Sequence, residues 1–293
     1  MKPDSAIGSA LAAAAVRAIE SYHPKEKRLF EDCFARRFLP PVWRGIIELL
    51  RLPGLGTAVL AMRERQFPGA MGNVFCRTRF IDDALQDALR EGIEQVVILG
   101  AGYDSRAYRI RGIEQASVFE VDHPAPQARK KARLQQLFRT IPSHVTFVPI
   151  DFDRQALEDA MAATTFRTDT QTFFIWEGVT QYITAEAVDA TFRCVSCTAA
   201  TGSKIVFTYI HRGIIDGSTR SDLDQKIVSA VQRFGMPWVF GLDPTEVSQY
   251  LAVRGLKLIE DVGASDHKAH YLDPIGRKMN VFEGERIALA YTA

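Results

Sequence analysis

Cysteine is scarce in this chain. Cys33, Cys76, Cys194 and Cys197 are the only four, and the single C-x-x-C, formed by Cys194 and Cys197, has no second pair to complete a tetrahedral zinc site. A redox role would need a thioredoxin-like setting, whereas the flanking sequence reads as a helix. Two thiols on a helix in a reducing cytoplasm is the simplest reading. Net charge is nearly absent too: 36 basic against 35 acidic side chains leave +1, which provides no field to draw in nucleic acid or anionic lipid. No apolar run is long enough to span a bilayer. The alanine-rich stretch SAIGSALAAAAVRAIE soon meets Arg17 and Glu20 and has no compact cationic segment before it. It therefore reads as a soluble helix rather than a signal peptide. Internal repeats and low-complexity linkers are missing as well.

What is present is an ordinary globular composition, 47% apolar over 293 residues, enough for one large domain or one domain with an extension. The chain reads as helical to about residue 90, with helical apolar spacing over 10–22, 30–38 and 78–91, a break at PGLG, and Gly92 as a stop. The pattern then changes. QVVIL is short, continuous and β-branched, as a strand buried on both faces should be. ASVFEVD, VTFVPID, TFFIWE and KIVFTYI repeat the theme, separated by stretches that suit helices, and LKLIE and ERIALAYT follow. This alternation predicts a Rossmann-like α/β sheet, mostly parallel, with an antiparallel edge formed by the last two strands. Residues 1–90 are expected to form a helical cap, 91–293 the α/β domain, and 212–245 an insertion in which Phe234, Trp238 and Phe240 wall an acceptor site or pack the cap.

In such a sheet, ligands bind beyond the carboxyl ends of the strands. The first strand ends in Gly100-Ala101-Gly102-Tyr103-Asp104-Ser105. The third glycine of a dinucleotide turn is missing, and Asp104 would repel a pyrophosphate but suit an amine or a sulfonium. The second strand ends at Asp122, about twenty residues on, placed to accept from two ribose hydroxyls; Glu120 competes, and a helix cap is the plainer role. Asp151, with Phe152 beside it, ends the third strand and suits an adenine ring, Asp153 being the better helix cap. Glu177 ends the fourth. A buried structural carboxylate is its bland alternative. As a series, these strand ends fit one nucleoside-containing ligand.

The segments ALAAAAVRAIES, CRTRFIDDAL, VVILGAGYDSRAYRI, VFEVDHP, PIDFD, WEGVTQYIT and FGLDPTEVSQYLAVRGL resemble the leucine carboxyl methyltransferase family, particularly its bacterial branch assigned as polyketide O-methyltransferases. The resemblance implies S-adenosyl-L-methionine as cofactor and a class I methyltransferase fold. It implies Arg77 on the cofactor's carboxylate, with Arg79 the nearby rival, Asp122 on ribose, Asp151 and Phe152 at adenine, and Glu177 near the methionine end. One departure is EDCFA at residues 31–35, where relatives often carry Asp-Pro-Tyr-Ala.

Methyl transfer from a sulfonium rests largely on positioning. A carboxylate acceptor needs no general base; a hydroxyl does. Tyr182, Tyr209 and His211 are the candidates near the reaction, His211 for its titration range, and Arg212 is a possible anchor for an acceptor carboxylate. His267 and His270 lack a third ligand, so no metal is expected, and Arg129, Lys130, Lys131 and Arg133 read as a solvated helix face. The leading expectation is an O-methyltransferase for a small-molecule carboxylate or hydroxyl, with no nucleic-acid or membrane partner. A protein C-terminal carboxyl methyltransferase, a nicotinamide-dependent oxidoreductase and a cofactor-binding protein without turnover are the alternatives.

Overall fold

A computed structural model describes residues 3–52, 54–151, 155–219, 221–233 and 235–293. Phe152, Asp153 and Phe234 lie outside the described residues. The apolar runs form seven strands: β1 (Gln95–Leu99), β2 (Ser117–Asp122), β3 (Val145–Pro149), β4 (Thr172–Trp176), β5 (Lys204–Ile210), β6 (Leu256–Val262) and β7 (Glu285–Thr292). They make one sheet in the order β3-β2-β1-β4-β5-β7-β6. β1 to β5 pair in parallel, and β7 pairs antiparallel with both β5 and β6. The expected antiparallel edge pair is present, with the later strand placed inside the earlier one.

Every residue of β1 and β4 is buried, because helices cover both faces. On one face Val97, Phe119, Trp176 and Phe207 pack under Met161, Phe192 and Leu251. On the other, Val96, Ile98, Phe173 and Val206 meet Phe80, Ile81 and Leu85. These last three belong to a helix spanning Ala70–Arg90. The helix expected over 78–91 thus starts eight residues earlier, and it belongs to the core of the sheet, although it falls within the segment expected to be cap.

Three of the remaining N-terminal helices, Pro3–Glu20, Ala35–Phe38 and Pro41–Leu49, share a cluster of their own, which the helix Leu55–Gln66 does not join. Ala14, Ala15 and Ala18 pack against Phe38, Leu39, Ile47 and Tyr103; small side chains let this helix lie close to the glycine turn. The helix expected over 30–38 is only its last turn. Asp32 explains why: its Oδ1 accepts from the amides of Phe34 and Ala35 at 3.1 and 2.9 Å, starting the helix late. Its Oδ2 accepts from Arg17 Nε at 2.9 Å and Ser105 Oγ at 2.6 Å. The EDCFA departure therefore keeps the acid that ties the cap to the turn after β1. None of the described helices is long and apolar enough to cross a membrane.

Candidate functional site

The chain passes from β1 to β2 and β3 on one side, then returns to β4 on the other, so the switch point lies between β1 and β4. A cavity of about 210 Å³ opens there, beyond the strand carboxyl ends. Gly100, Ala101, Gly102 and Asp104 form one wall; Asp122 and Asp151 follow from the next two strands. Glu177 and Tyr182 come from the segment after β4, and Arg77 from the long helix before β1. Ser9, Ala10, Ala13 and Arg17 of the first helix close the top.

The turn is suspended from β2. Gly100 and Ala101 donate their amides to the Val121 carbonyl at 2.8 and 3.1 Å, and Gly102 donates to Asp122 Oδ2 at 2.6 Å. Gly100 has φ +67°, and a Cβ there would lie 2.4 Å from Val179 Cγ2, so glycine is required on two counts. Asp122 Oδ1 accepts from the His123 amide at 2.7 Å. Burial raises its pKa, with the Gly102 and His123 amides pulling the other way. Glu120, the other acid of β2, is fully buried and ion-paired at 2.7 Å with Lys130, which is only 1% exposed. Lys130 is thus a correction to the solvated helix face expected at 129–133: the residue faces inward to meet a buried carboxylate.

Charge is concentrated at one end of the cavity. Glu177 is held between two arginines, Arg77 Nε at 2.9 Å and Arg106 Nη1 at 2.7 Å. Burial raises its pKa, but Arg106 and Arg77 prevail and hold the carboxyl below its usual range. Arg106 also meets Asp104 and, at 2.8 Å, Asp82. Burial works against ionisation of Asp104 as well, and Arg106, then Lys130 and Arg17, overcome it and leave its pKa at about 2. Arg77 extends a second nitrogen to Glu285 Oε1 at 2.6 Å, while its Nη2, which lies beside Gly178, has no hydrogen-bond partner among the described residues. Arg79 points elsewhere, to Asp83 at 2.8 Å and the Leu29 carbonyl at 2.9 Å, so Arg77 is the arginine at the cavity.

Two candidates for the reaction are not brought to the cavity. Tyr209 is fully buried and donates its phenol to Asp261 at 2.7 Å; burial, then Asp261, drives its pKa far upward. It is withdrawn as a base. His211 caps the helix Arg212–Asp216, its Nδ1 accepting from the Gly213 amide at 3.0 Å, and it too lies outside the cavity lining. Arg212 is spent on Glu246 at 2.9 Å, on the surface. His267 is a core ring packed between Phe80 and Tyr271, and burial takes its pKa down to about 4. Cys194 and Cys197 share a helix, one buried and one exposed.

Arg106, Arg17, Asp82 and Glu285 were not foreseen from the sequence as members of the site. Arg106 stands two residues after Asp104 inside the motif itself, and that proximity was the available signal.

Comparison with known proteins follows the same outline. The profile of the leucine carboxyl methyltransferase family matches residues 10–196, from the first helix to the one after β4. A Streptomyces coelicolor protein is 33% identical over 218 residues, 74% of this chain and 73% of its own length. A Bacillus subtilis protein is 32% identical over 191 residues, 65% of this chain and 62% of its own. Both are named S-adenosyl-L-methionine-dependent methyltransferases. Among solved structures, a Thermobifida fusca methyltransferase superposes with a TM-score of 0.56 at 15% identity, covering 82% of this chain and 88% of its own. A Streptomyces avermitilis protein gives 0.54 at 16%, covering 82% and 91%. At such identities the likeness concerns the fold alone.

Proposed function

The chain belongs to the leucine carboxyl methyltransferase family, and from that premise we propose that it transfers the methyl group of S-adenosylmethionine to a carboxyl oxygen of a small molecule. The cofactor, common to the family, supplies an electrophilic methyl on a sulfonium. The residues at the cavity suit it. Asp122 is the ribose acceptor, Asp151 the partner for the adenine amine, and the Gly100–Gly102 backbone allows close approach to the nucleoside. Arg77 holds the cofactor's carboxylate through Nη2, the one nitrogen of its guanidinium without a hydrogen bond among the described residues. Glu177 and Asp104, both kept ionised by Arg106, face the amine and the sulfonium.

The observation that carries the choice of acceptor is the protonation of the cavity's reactive end. Burial raises the Tyr182 phenol, so at neutral pH it donates and does not abstract. Glu177 and Asp104 are held as weak bases by their arginines. With Tyr209 and His211 outside the lining, none of the described residues at this end is poised to deprotonate an alcohol. A carboxylate arrives already ionised and needs no such help.

The test has two stages. Calorimetry should detect binding of S-adenosylmethionine and S-adenosylhomocysteine but not of NAD. Turnover with methyl-tritiated cofactor on small carboxylic acids should then give product that releases volatile label under mild alkali, as a methyl ester does. Alkali-stable label on phenols or alcohols alone would refute the carboxyl reading.

A further inference from the structure

We propose that the outer face of the N-terminal cap is a docking surface for an anionic lipid bilayer, on which the protein sits peripherally. This is independent of the methyl-transfer reading above. The starting observation is where apolar surface is left in water. Nine large apolar side chains are exposed among the described residues, and six of them fall within residues 42–62: Val42, Trp43, Ile46, Leu49, Leu52 and Met62, from 38% exposed at Trp43 to 71% at Val42. Single exposed apolar residues need no explanation; a stripe of them marks a contact surface. The helix Pro41–Leu49 carries such a stripe, since positions 42, 43, 46 and 49 share one side of it. Its other apolar side is already used: Ile47, 3% exposed, packs with Phe38 and Leu39. Turning the stripe inward would expose Ile47, so the outer side has no partner within the fold.

The charge around the stripe says what covers it. Residues 36–65 hold six arginines, Arg36, Arg37, Arg44, Arg51, Arg63 and Arg65, against two glutamates, so this stretch carries +4 and the other residues together carry −3. The chain's total of +1 conceals that segregation. Both acids are occupied. Glu48 accepts from Tyr22 at 2.7 Å and pairs with Arg36 at 2.7 Å and Arg51 at 3.1 Å. Glu64 accepts from the Gly69 amide at 3.0 Å and Asn280 Nδ2 at 2.7 Å. Arg37, Arg63 and Arg65 are exposed, and their side chains have no hydrogen bond or ion pair among the described residues. The apolar stripe is therefore flanked by cations with nothing to neutralise them.

A second copy of the chain fits this face poorly, because a symmetric contact would set +4 against +4. A bilayer fits it on each count. Five of the six apolar side chains carry no N–H or O–H, as suits hydrocarbon, and the sixth is a tryptophan, whose ring settles at headgroup level. Arginines beside them meet the lipid phosphates, each adding to the attraction while it lies within a Debye length of the surface. This is the build of an interfacial amphipathic helix, which lies along a membrane and does not cross it. Ile47 joins the cluster of Ala14 and Ala18, so the docked helix rests on the one whose Ser9, Ala10 and Ala13 close the cavity.

The experiment floats the full chain with vesicles of phosphatidylcholine alone, or of equal parts phosphatidylcholine and phosphatidylglycerol. Wild type should bind the mixed vesicles, less so as salt is added, and bind phosphatidylcholine weakly. Trp43→Ser combined with Ile46→Ser should lose roughly tenfold or more in partitioning. Arg63→Gln combined with Arg65→Gln should lose roughly 10- to 30-fold and most of the salt dependence. All four positions are exposed, and thermal unfolding checks that each variant folds as wild type does. Tryptophan emission should shift to the blue on the mixed vesicles, and Trp43→Phe should bind while losing that shift. The proposal is overturned if wild type does not bind the mixed vesicles, if it binds phosphatidylcholine as tightly, or if either folded double variant binds as wild type does. Self-association of wild type that the serine variant abolishes, without vesicle binding, overturns it too and gives the face to a second copy.

Discussion

Replacing Asp104 by asparagine tests the electrostatics of the cavity directly. In the folded protein its carboxyl sits at about 2, against an ordinary 3.8. A drop of nearly two units, at ~1.36 kcal/mol each, amounts to about 2 kcal/mol of stability. The sign follows from the direction. A carboxyl with a depressed folded-state pKa stabilises the protein above its unfolded pKa, and that contribution is lost as pH falls from 3.8 through about 2. Asparagine keeps an oxygen for the Arg106 amide, from which Asp104 accepts at 2.7 Å, but turns its NH2 toward the Arg106 guanidinium, so the pH dependence of the gap, rather than its size alone, reports the charge. Urea unfolding should show Asp104→Asn less stable than wild type by about 2 kcal/mol at pH 7. The gap should narrow steadily below about pH 5, be mostly lost by about pH 2 and vanish only below it. A gap that stays constant across that range would mean that the Asp104–Arg106 pair contributes through shape and not through charge. No gap at pH 7 would mean that desolvation cancels the attraction entirely.

Further outcomes follow from the same geometry. Asp122→Asn should weaken S-adenosylhomocysteine binding by at least about tenfold in calorimetry, since one carboxyl oxygen becomes an amide facing the Gly102 or His123 N–H; unchanged affinity would remove Asp122 from the site. Lys130→Met alone should cost about 3–5 kcal/mol in denaturant unfolding, because Glu120 is left buried and unpaired, and adding Glu120→Leu should recover part of the loss. Additive losses would mean that the two charges do not depend on each other. Gly100→Ala should lower both stability and cofactor affinity, and Val179→Ala should partly restore them by vacating the position the new Cβ needs. If Gly100→Ala binds cofactor normally, the turn has more freedom than its φ and its neighbour allow.

The sheet was legible in the sequence because strands buried on both faces leave unbroken apolar runs, and an acid at the end of such a run stands out. Gly100, Asp122, Asp151 and Glu177 were found in that way, and the cavity brings them together. Arg106 and Lys130 were hidden for the opposite reason. A buried cation looks like any other until its partner is located, and Asp82 and Glu177 lie 24 and 71 residues from Arg106. Lys130 was further masked by its neighbours in a run of basic residues. Tyr209 and His211 were misplaced because a strand end carries side chains to both faces of a sheet, and residue order alone does not say which face the ligand uses. The late start of the second helix could not be read either, since Asp32 can cap it only once the cap has folded onto Arg17 and Ser105.

The position of β7 bears on how the molecule is made. It is the last of the seven strands to leave the ribosome, yet it lies between two that precede it, and β6 pairs with nothing else in the sheet. Until it emerges, the sheet stops at β5, and Arg77 lacks the Glu285 carboxylate that braces it. The strand ends that carry the Gly100–Gly102 turn, Asp122 and Asp151 are therefore made before the brace on Arg77 is, and the last stretch of chain both closes the sheet and fixes that arginine.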